Sequence, residues 1–320
     1  MMETFKNLNP IKYSIHMHTI LQKTLVICIF AIGLSSSARS AQSFLVADQQ
    51  TGAILKSDDQ NNKLPIGDLT QLATSMVVLD CLRASNQNLS VTTSVASVAI
   101  QSTVGLQAGD RISLRDLLYC VVLSSDRLAA YTLADFMGSN IPNPRGLSGK
   151  DNFVSQMNAL ASQLEMTRTR FTSPDGSDQR RKPSYSTATD MGRLVRYAYA
   201  RPEFPFYAEQ ASRVISLSRQ GKPLSFRIRN TNSLLGKDRI DGAKAGFSSR
   251  IGQCLALTAD RPSESARQGN LVMVTPRRLI IILLGSPNGF SEGLELLQQG
   301  WALYDQWAAS GRPNQERNSL

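Results

Sequence analysis

Pro65-Ile66-Gly67-Asp68-Leu69-Thr70-Gln71-Leu72 leads into a segment, residues 69–82, whose apolar side chains recur at helical spacing. Aspartate is a strong helix N-cap, and a glutamine three residues later completes a capping-box pattern. Asp68 and Gln71 therefore read first as the two halves of a cap, worth about 0.5 to 2 kcal/mol. A helix starts here, with Asp68 at its mouth.

Working outward, residues 44–48 and 53–56 flank Gln49-Gln50-Thr51-Gly52 and read as a hairpin. Beyond the first helix, residues 114–123 and 128–136 predict two helices separated by the polar break Ser124-Ser125-Asp126-Arg127. Ser124 or Ser125 is a possible cap for the second of them. Two more helices are expected over 152–164 and 187–200, with a turn-rich loop at 170–176 after the first. Strand character returns at 243–247, 254–259 and 279–284, and a helix over 291–307 follows. The tract 260–276 reads as a polar loop with a short adjoining strand. Strands near both chain ends enclosing helices predict one α+β domain, with an antiparallel sheet built from both ends around a helical middle. Its bounds are placed at 41–310, with 311–320 as a tail.

Residues 1–40 have a different character. Lys6, Lys12 and Lys23 precede the apolar run 24–34, which is followed by Ser35, Ala38 and Ala41. This is the layout of a secretory signal, and the run is far shorter than the ~20 residues a membrane-spanning helix needs. The expectation is an exported protein, periplasmic or extracellular, with no stable membrane anchor after cleavage. Met17 is an alternative start.

The chain has 320 residues, 42% hydrophobic and 19% charged, enough for one large core or two modest ones. Lysine and arginine number 35 and the acids 25; leaving out Lys6, Lys12, Lys23, Arg39 and Glu3 gives 31 against 24 in the remainder. Basic charge interspersed with acids, without blocks or interleaved aromatics, argues against nucleic acid and suits an anionic polymer. Cys81, Cys120 and Cys254 each sit in apolar segments and are expected as buried thiols, one disulfide being the alternative. Both histidines, His16 and His18, fall in the leader. Serine–histidine triads, cysteine–histidine pairs and histidine-ligated zinc are thereby excluded, and no cofactor or metal is expected.

Four further stretches combine with the opening one: Leu106-Gln107-Ala108-Gly109-Asp110-Arg111 leading to Leu117-Leu118-Tyr119, Tyr185-Ser186-Thr187-Ala188-Thr189-Asp190-Met191, Asn230-Thr231-Asn232-Ser233-Leu234-Leu235-Gly236, and Asp241-Gly242-Ala243-Lys244-Ala245-Gly246-Phe247. In this order and spacing, the chain from about 43 to 307 resembles the serine-type D-alanyl-D-alanine carboxypeptidases, the low-molecular-weight penicillin-binding proteins with a β-lactamase-like fold. The resemblance implies a cell-wall protein and the motifs Ser-x-x-Lys, Ser-x-Asn and Lys-Thr-Gly.

All three motifs depart from the pattern. Asp68 occupies the nucleophile position and Gln71 that of the lysine base. A carboxylate is a poor nucleophile toward an amide, and a carboxamide is no base near neutral pH. None of the ten lysines has a serine three residues before it, so no shifted Ser-x-x-Lys exists. The second motif aligns as Ser125-Asp126-Arg127, with arginine in place of asparagine. The third keeps Lys244 and Gly246 and replaces the hydroxyl residue by Ala245. Ser125, Arg127, Lys244 and Gly246 are the candidate substrate contacts, and Lys244 is expected to face the cleft. Asp68 is expected to pair with Lys244 or Arg127.

The leading reading is a pseudoenzyme that binds peptidoglycan stem peptides or regulates wall-synthesis proteins. The second is an active carboxypeptidase with another nucleophile, Ser125 or Thr70. The third is a structural or assembly component with a vestigial cleft.

Overall fold

A computed structural model describes residues 40–320 apart from 86–87, 179–181, 269–270 and 314–318. The leader proposed for residues 1–40 lies, but for Ser40, outside the described residues.

From Ala41 to Leu320 the chain is one compact unit. Its elements in order are β1 (Ser43–Asp48), β2 (Ile54–Asp58), β3 (Leu64–Pro65), α1 (Thr70–Ser85), β4 (Thr92–Ser94), β5 (Arg111–Ser113), α2 (Leu114–Ser124), α3 (Arg127–Ser139) and α4 (Gly149–Gln163). There follow β6 (Tyr185–Ser186), α5 (Ala188–Tyr199), α6 (Glu203–Ala208), β7 (Ser212–Arg219), β8 (Lys222–Arg229), β9 (Ile240–Ser248), β10 (Gly252–Gln268), β11 (Leu271–Ser286) and α7 (Gly289–Ala309).

The main sheet is antiparallel, in the order β2-β1-β11-β10-β9, so strands from both ends of the chain meet at its centre, where β1 pairs with β11. Its central strands are covered on both faces and read as unbroken apolar runs. Alternation then assigns each side chain to a layer. Ile280, Ile282 and Leu284 join the core shared with the helical middle, whereas Leu279, Ile281 and Leu283 join a second core under α7, with Trp301, Tyr304 and Trp307.

Helix α1 runs through the larger core. Leu72, Ala73, Met76, Val77 and Val78 cover every face of it, and all are buried, as expected of a helix wrapped on all sides. This rigid element carries Asp68 and Gln71 into position.

The expected hairpin, all six expected helices and the three expected strands form; the helices and β9 lie within a few residues of the expected bounds, whereas β10 and β11 extend well beyond theirs. The tract 260–276 differs from expectation. Instead of a polar loop it continues β10 and β11 as a paired arm, in register from Glu264 opposite Thr275 to Gln268 opposite Leu271. The β7–β8 hairpin and α6 were not foreseen. The final residues pair with the first hairpin: Ser319 bridges Ala53, and Leu320 N donates to Gly52 O at 2.9 Å. Cys81, Cys120 and Cys254 are free thiols, the last two buried.

Candidate functional site

Between the mouth of α1, the α2–α3 break and strand β9 lies an open cavity of about 510 Å³, lined among others by Asp68, Ser125, Arg127, Ala245, Gly246 and Phe247. The three degenerate motifs thus converge on one cleft, although they come from distant parts of the sequence.

The capping box expected at 68–71 does not form. Residues Gly67–Leu69 make a turn of 3-10 helix ahead of α1, with no side-chain cap, and the Asp68 carboxylate points across to β9. There Phe247 N donates to Asp68 Oδ2 at 3.2 Å, and Arg127 Nε stands 3.7 Å from Oδ1. The close approach depends on Gly67: its φ is +47°, and a Cβ there would lie 2.1 Å from the Phe247 carbonyl oxygen. Burial pushes the Asp68 carboxyl above its ordinary value, against the opposing pull of the Lys244 and Arg127 charges and the Phe247 amide.

Gln71 is fully buried on the first turn of α1. Its Nε2 donates to Ser125 O at 3.2 Å and to Asp175 O at 3.1 Å. Where a base would be needed, the side chain is a double donor tying the α2–α3 break to the 170–176 loop. Its Oε1 is buried without a hydrogen-bond partner.

Ser125 ends α2 in the left-handed region, φ +52°, and its N–H closes the helix onto Cys120 O. Neither Ser124 nor Ser125 caps the next helix. That is done by Asp126, whose Oδ1 accepts from Ala129 N at 2.8 Å. Its Oδ2 accepts from Ser102 Oγ and Thr103 N, both at 2.6 Å, and from Val104 N at 3.2 Å. Sequence reasoning passed over Asp126, although an aspartate just ahead of a helical apolar pattern is itself an N-cap signal. Arg127 therefore opens α3, where a cation meets the unfavourable end of the helix dipole and Asp68 offsets it. Arg127 also donates through Nη2 to Gly176 O at 3.3 Å.

Lys244 differs most from expectation. It is 1% exposed and does not line the cavity. Its Nζ donates to Ser125 Oγ at 2.7 Å, Val121 O at 2.9 Å and Val122 O at 3.3 Å, which accounts for all three ammonium protons. Desolvation pushes its pKa down to about 8, with the Asp68 charge opposing. Of the two expected partners of Asp68, only Arg127 comes within ion-pair distance; Lys244 acts on it through the field.

Ser125 Oγ accepts from Lys244 and faces Ala245 O at 3.4 Å. Thr70, the other alternative nucleophile, is fully buried, without a hydrogen-bond partner for Oγ1, and is absent from the cavity wall. Ala245 and Gly246 form the wall on the β9 side, where a Cβ at position 246 would meet Leu69 N at 3.1 Å and Asp68 Cβ at 3.2 Å.

Comparison with known proteins agrees with this architecture. A D-alanyl-D-alanine endopeptidase of Pseudomonas aeruginosa is 33% identical over 67% of this chain and 66% of its own length. A D-alanyl-D-alanine carboxypeptidase of Mycobacterium tuberculosis is 31% identical over 83% of this chain and 84% of its own length. Penicillin-binding protein D2 from Listeria monocytogenes superposes with a TM-score of 0.64 at 24% identity, covering 82% of this chain and 97% of that one, which establishes the shared fold. No described helix is long and apolar enough to cross a membrane. Residues 32–274 match the D-alanyl-D-alanine carboxypeptidase family, peptidase S11, and the chain belongs to that family.

Proposed function

We infer that this chain is a non-catalytic family member, exported to the cell wall, whose cleft binds peptidoglycan stem peptides without cleaving them. The observation that carries the reading is the state of the α1 mouth. The side chain at the nucleophile position is a carboxylate held by Phe247 N and Arg127, and the side chain at the base position is an amide that donates to two backbone carbonyls. Removing one member of a nucleophile–base unit lowers turnover by roughly 10⁶, and here both are replaced.

The cleft itself remains open, and two backbone edges, β9 and the α2–α3 break, line it. An extended peptide can lie between them. A terminal carboxylate about 4 Å from Asp68 would be repelled by up to ~4 kcal/mol at an effective dielectric near 20, so the bound peptide keeps that end away from α1. Export is supported by the basic, apolar and small-residue succession in residues 1–40.

Calorimetric titration of the purified protein with a stem pentapeptide ending in D-alanyl-D-alanine tests both halves of the reading. The expected result is saturable binding with no D-alanine released. Binding weakened by Phe247→Ala would place the peptide in this cleft. Heat flat to millimolar peptide would remove the binding half and leave the cleft vestigial. Restoring Asp68→Ser together with Gln71→Lys is expected to recover measurable acylation by a penicillin.

A second reading rests on Ser125 Oγ lying 2.7 Å from an amine whose pKa is pushed down to about 8. Serine–lysine pairs support acyl transfer when the lysine is neutral. Here Lys244 directs all three protons at acceptors and remains an ammonium near pH 7, which places this reading second. Peptide cleavage that rises with pH through about 8 and is abolished by Ser125→Ala would establish it.

A further inference from the structure

The arm formed by the far ends of β10 and β11 leaves the main sheet, beyond the reach of both neighbouring strands. β1 pairs with β11 only from Leu279 onward, and β9 pairs with β10 only as far as Ala259. Past that point only the two arm strands pair with each other. Leu271, Val272, Met273 and Val274 then present four consecutive apolar side chains at 68%, 61%, 55% and 62% exposure. Single exposed apolar residues are ordinary; four in succession on a strand end are not.

Their alternation identifies the kind of surface that would cover them. Leu271 and Met273 project from one face of the ribbon and Val272 and Val274 from the other. A protein partner docked on one face would leave the second pair in water. Covering both requires a medium that surrounds the tip.

Edge pairing with another strand is disfavoured too. Pro276 removes an N–H from β11, and a bulge at Pro262-Ser263 shifts the register just opposite, two devices that discourage strand addition.

The charges of the arm specify the medium further. Its acids are already paired: Asp260 with Arg239 at 3.0 Å, and Glu264 with Arg277 at 3.3 Å and with Arg312. Arg267, opposite Val272 next to the tip, is exposed and has no ion pair among the described residues. An apolar strand end with an unpaired arginine beside it matches the acyl boundary and the headgroups of an anionic bilayer. The four residues extend about 10 Å along the strand, comparable with the depth at which interfacial side chains settle.

We propose that the β10–β11 arm is a membrane-docking finger, with Leu271, Val272, Met273 and Val274 entering the acyl boundary of an anionic phospholipid surface and Arg267 meeting the headgroups. It would hold the domain reversibly at a bilayer independently of residues 1–40. It does not depend on what the cleft binds.

The test uses the full chain carrying Met273→Trp, with the emission of the parent chain subtracted to remove Trp301 and Trp307. Because the probe reports the tip alone, membrane contact by other segments does not interfere. Vesicles of phosphatidylcholine containing about one-third phosphatidylglycerol, a typical anionic surface, should shift the emission to shorter wavelength, and bromine-labelled acyl chains should quench it. In the Trp-bearing chain, Arg267→Gln should weaken the titration about fivefold. Replacing Leu271, Val272 and Val274 by serine should weaken it by at least roughly tenfold, with the far-ultraviolet spectrum unchanged. An emission spectrum indifferent to vesicles, or a shift equal on pure phosphatidylcholine, would overturn the proposal. A concentration-dependent shift without lipid would overturn it in favour of self-association.

Discussion

Arg127 Nε lies 3.7 Å from Asp68 Oδ1, so the first residue of α3 faces the carboxylate at the mouth of α1 across the cleft. At this separation the contact is an ion pair, longer than a hydrogen bond. Both partners reach the cavity, and at this length a partly exposed pair contributes little. Burial is therefore the larger influence on Asp68, as the upward displacement of its pKa indicates.

The sign of that displacement yields a prediction. A carboxyl whose folded pKa lies above its ordinary 3.8 is less stable as a carboxylate in the fold than in the unfolded chain. Its penalty is complete above the folded pKa and disappears as pH falls through that value toward 3.8. Asp68→Asn should therefore unfold at higher temperature than the parent at pH 7, and the difference should close by about pH 4. A variant less stable than the parent at pH 7 would mean that the Arg127 contact outweighs burial.

Lys244 gives the opposite pH range. Its folded pKa of about 8 lies below its ordinary 10.5, so between those values the unfolded chain holds a proton that the folded chain has released. Stability contributed by this residue consequently rises with pH across that interval, by about 3 kcal/mol at most. Urea denaturation should show the parent gaining on Lys244→Met from pH 8 to pH 10.5. A constant difference between the two would show that the ammonium keeps its proton throughout.

Gln71 tests the structural role assigned to the former base position. Gln71→Glu would set a carboxylate against two backbone carbonyl oxygens, Ser125 O and Asp175 O. Gln71→Met removes two donors but adds no charge, and should cost about 1 to 3 kcal/mol. The glutamate variant should be the less stable of the two at pH 7 and should recover toward the methionine variant in acid, where protonation restores one donor. Equal urea midpoints at both pH values would contradict the assigned bonds.

Asp126, the middle residue of the second motif, should prove more important to the fold than any of the residues that replace the family's catalytic side chains. Asp126→Ala deletes the α3 cap and strands the Ser102, Thr103 and Val104 donors, an expected loss of about 3 kcal/mol or more. Asp126→Asn keeps the acceptor for Ala129 N and should lose less. Urea midpoints measured at constant slope check both.

Much of this molecule was legible in the sequence because its elements carry strong periodic signals. The inner half of β11 is an unbroken apolar run over Leu279–Leu284, and α1 carries apolar residues at helical spacing, so the buried part of the strand and the helix were both placed within a few residues. Cleft membership was legible through the family resemblance, since Asp68, Ser125, Arg127 and Gly246 all reach one cavity. Hydrogen-bond direction was not. The short spacing of Asp68 and Gln71 favoured a local capping box, but tertiary partners 54 to 179 residues away captured both side chains. Lys244 misled in a different way, because nothing local indicates that a lysine will be enclosed by carbonyls from Val121 and Val122. The arm at 260–276 was obscured by its arginines, serines and prolines. These suit a solvated ribbon as well as a loop, and pairing only with each other leaves no buried face to impose alternation.

The central claim is that the mouth of α1 has lost acyl-transfer chemistry, and covalent capture tests it most directly. The purified chain would be incubated with excess penicillin and its intact mass recorded over hours, with peptide mapping of any shifted species. The account predicts an unchanged mass at every time point. A stable increment of one penicilloyl group, mapped to Ser125 or to any other side chain, would contradict it.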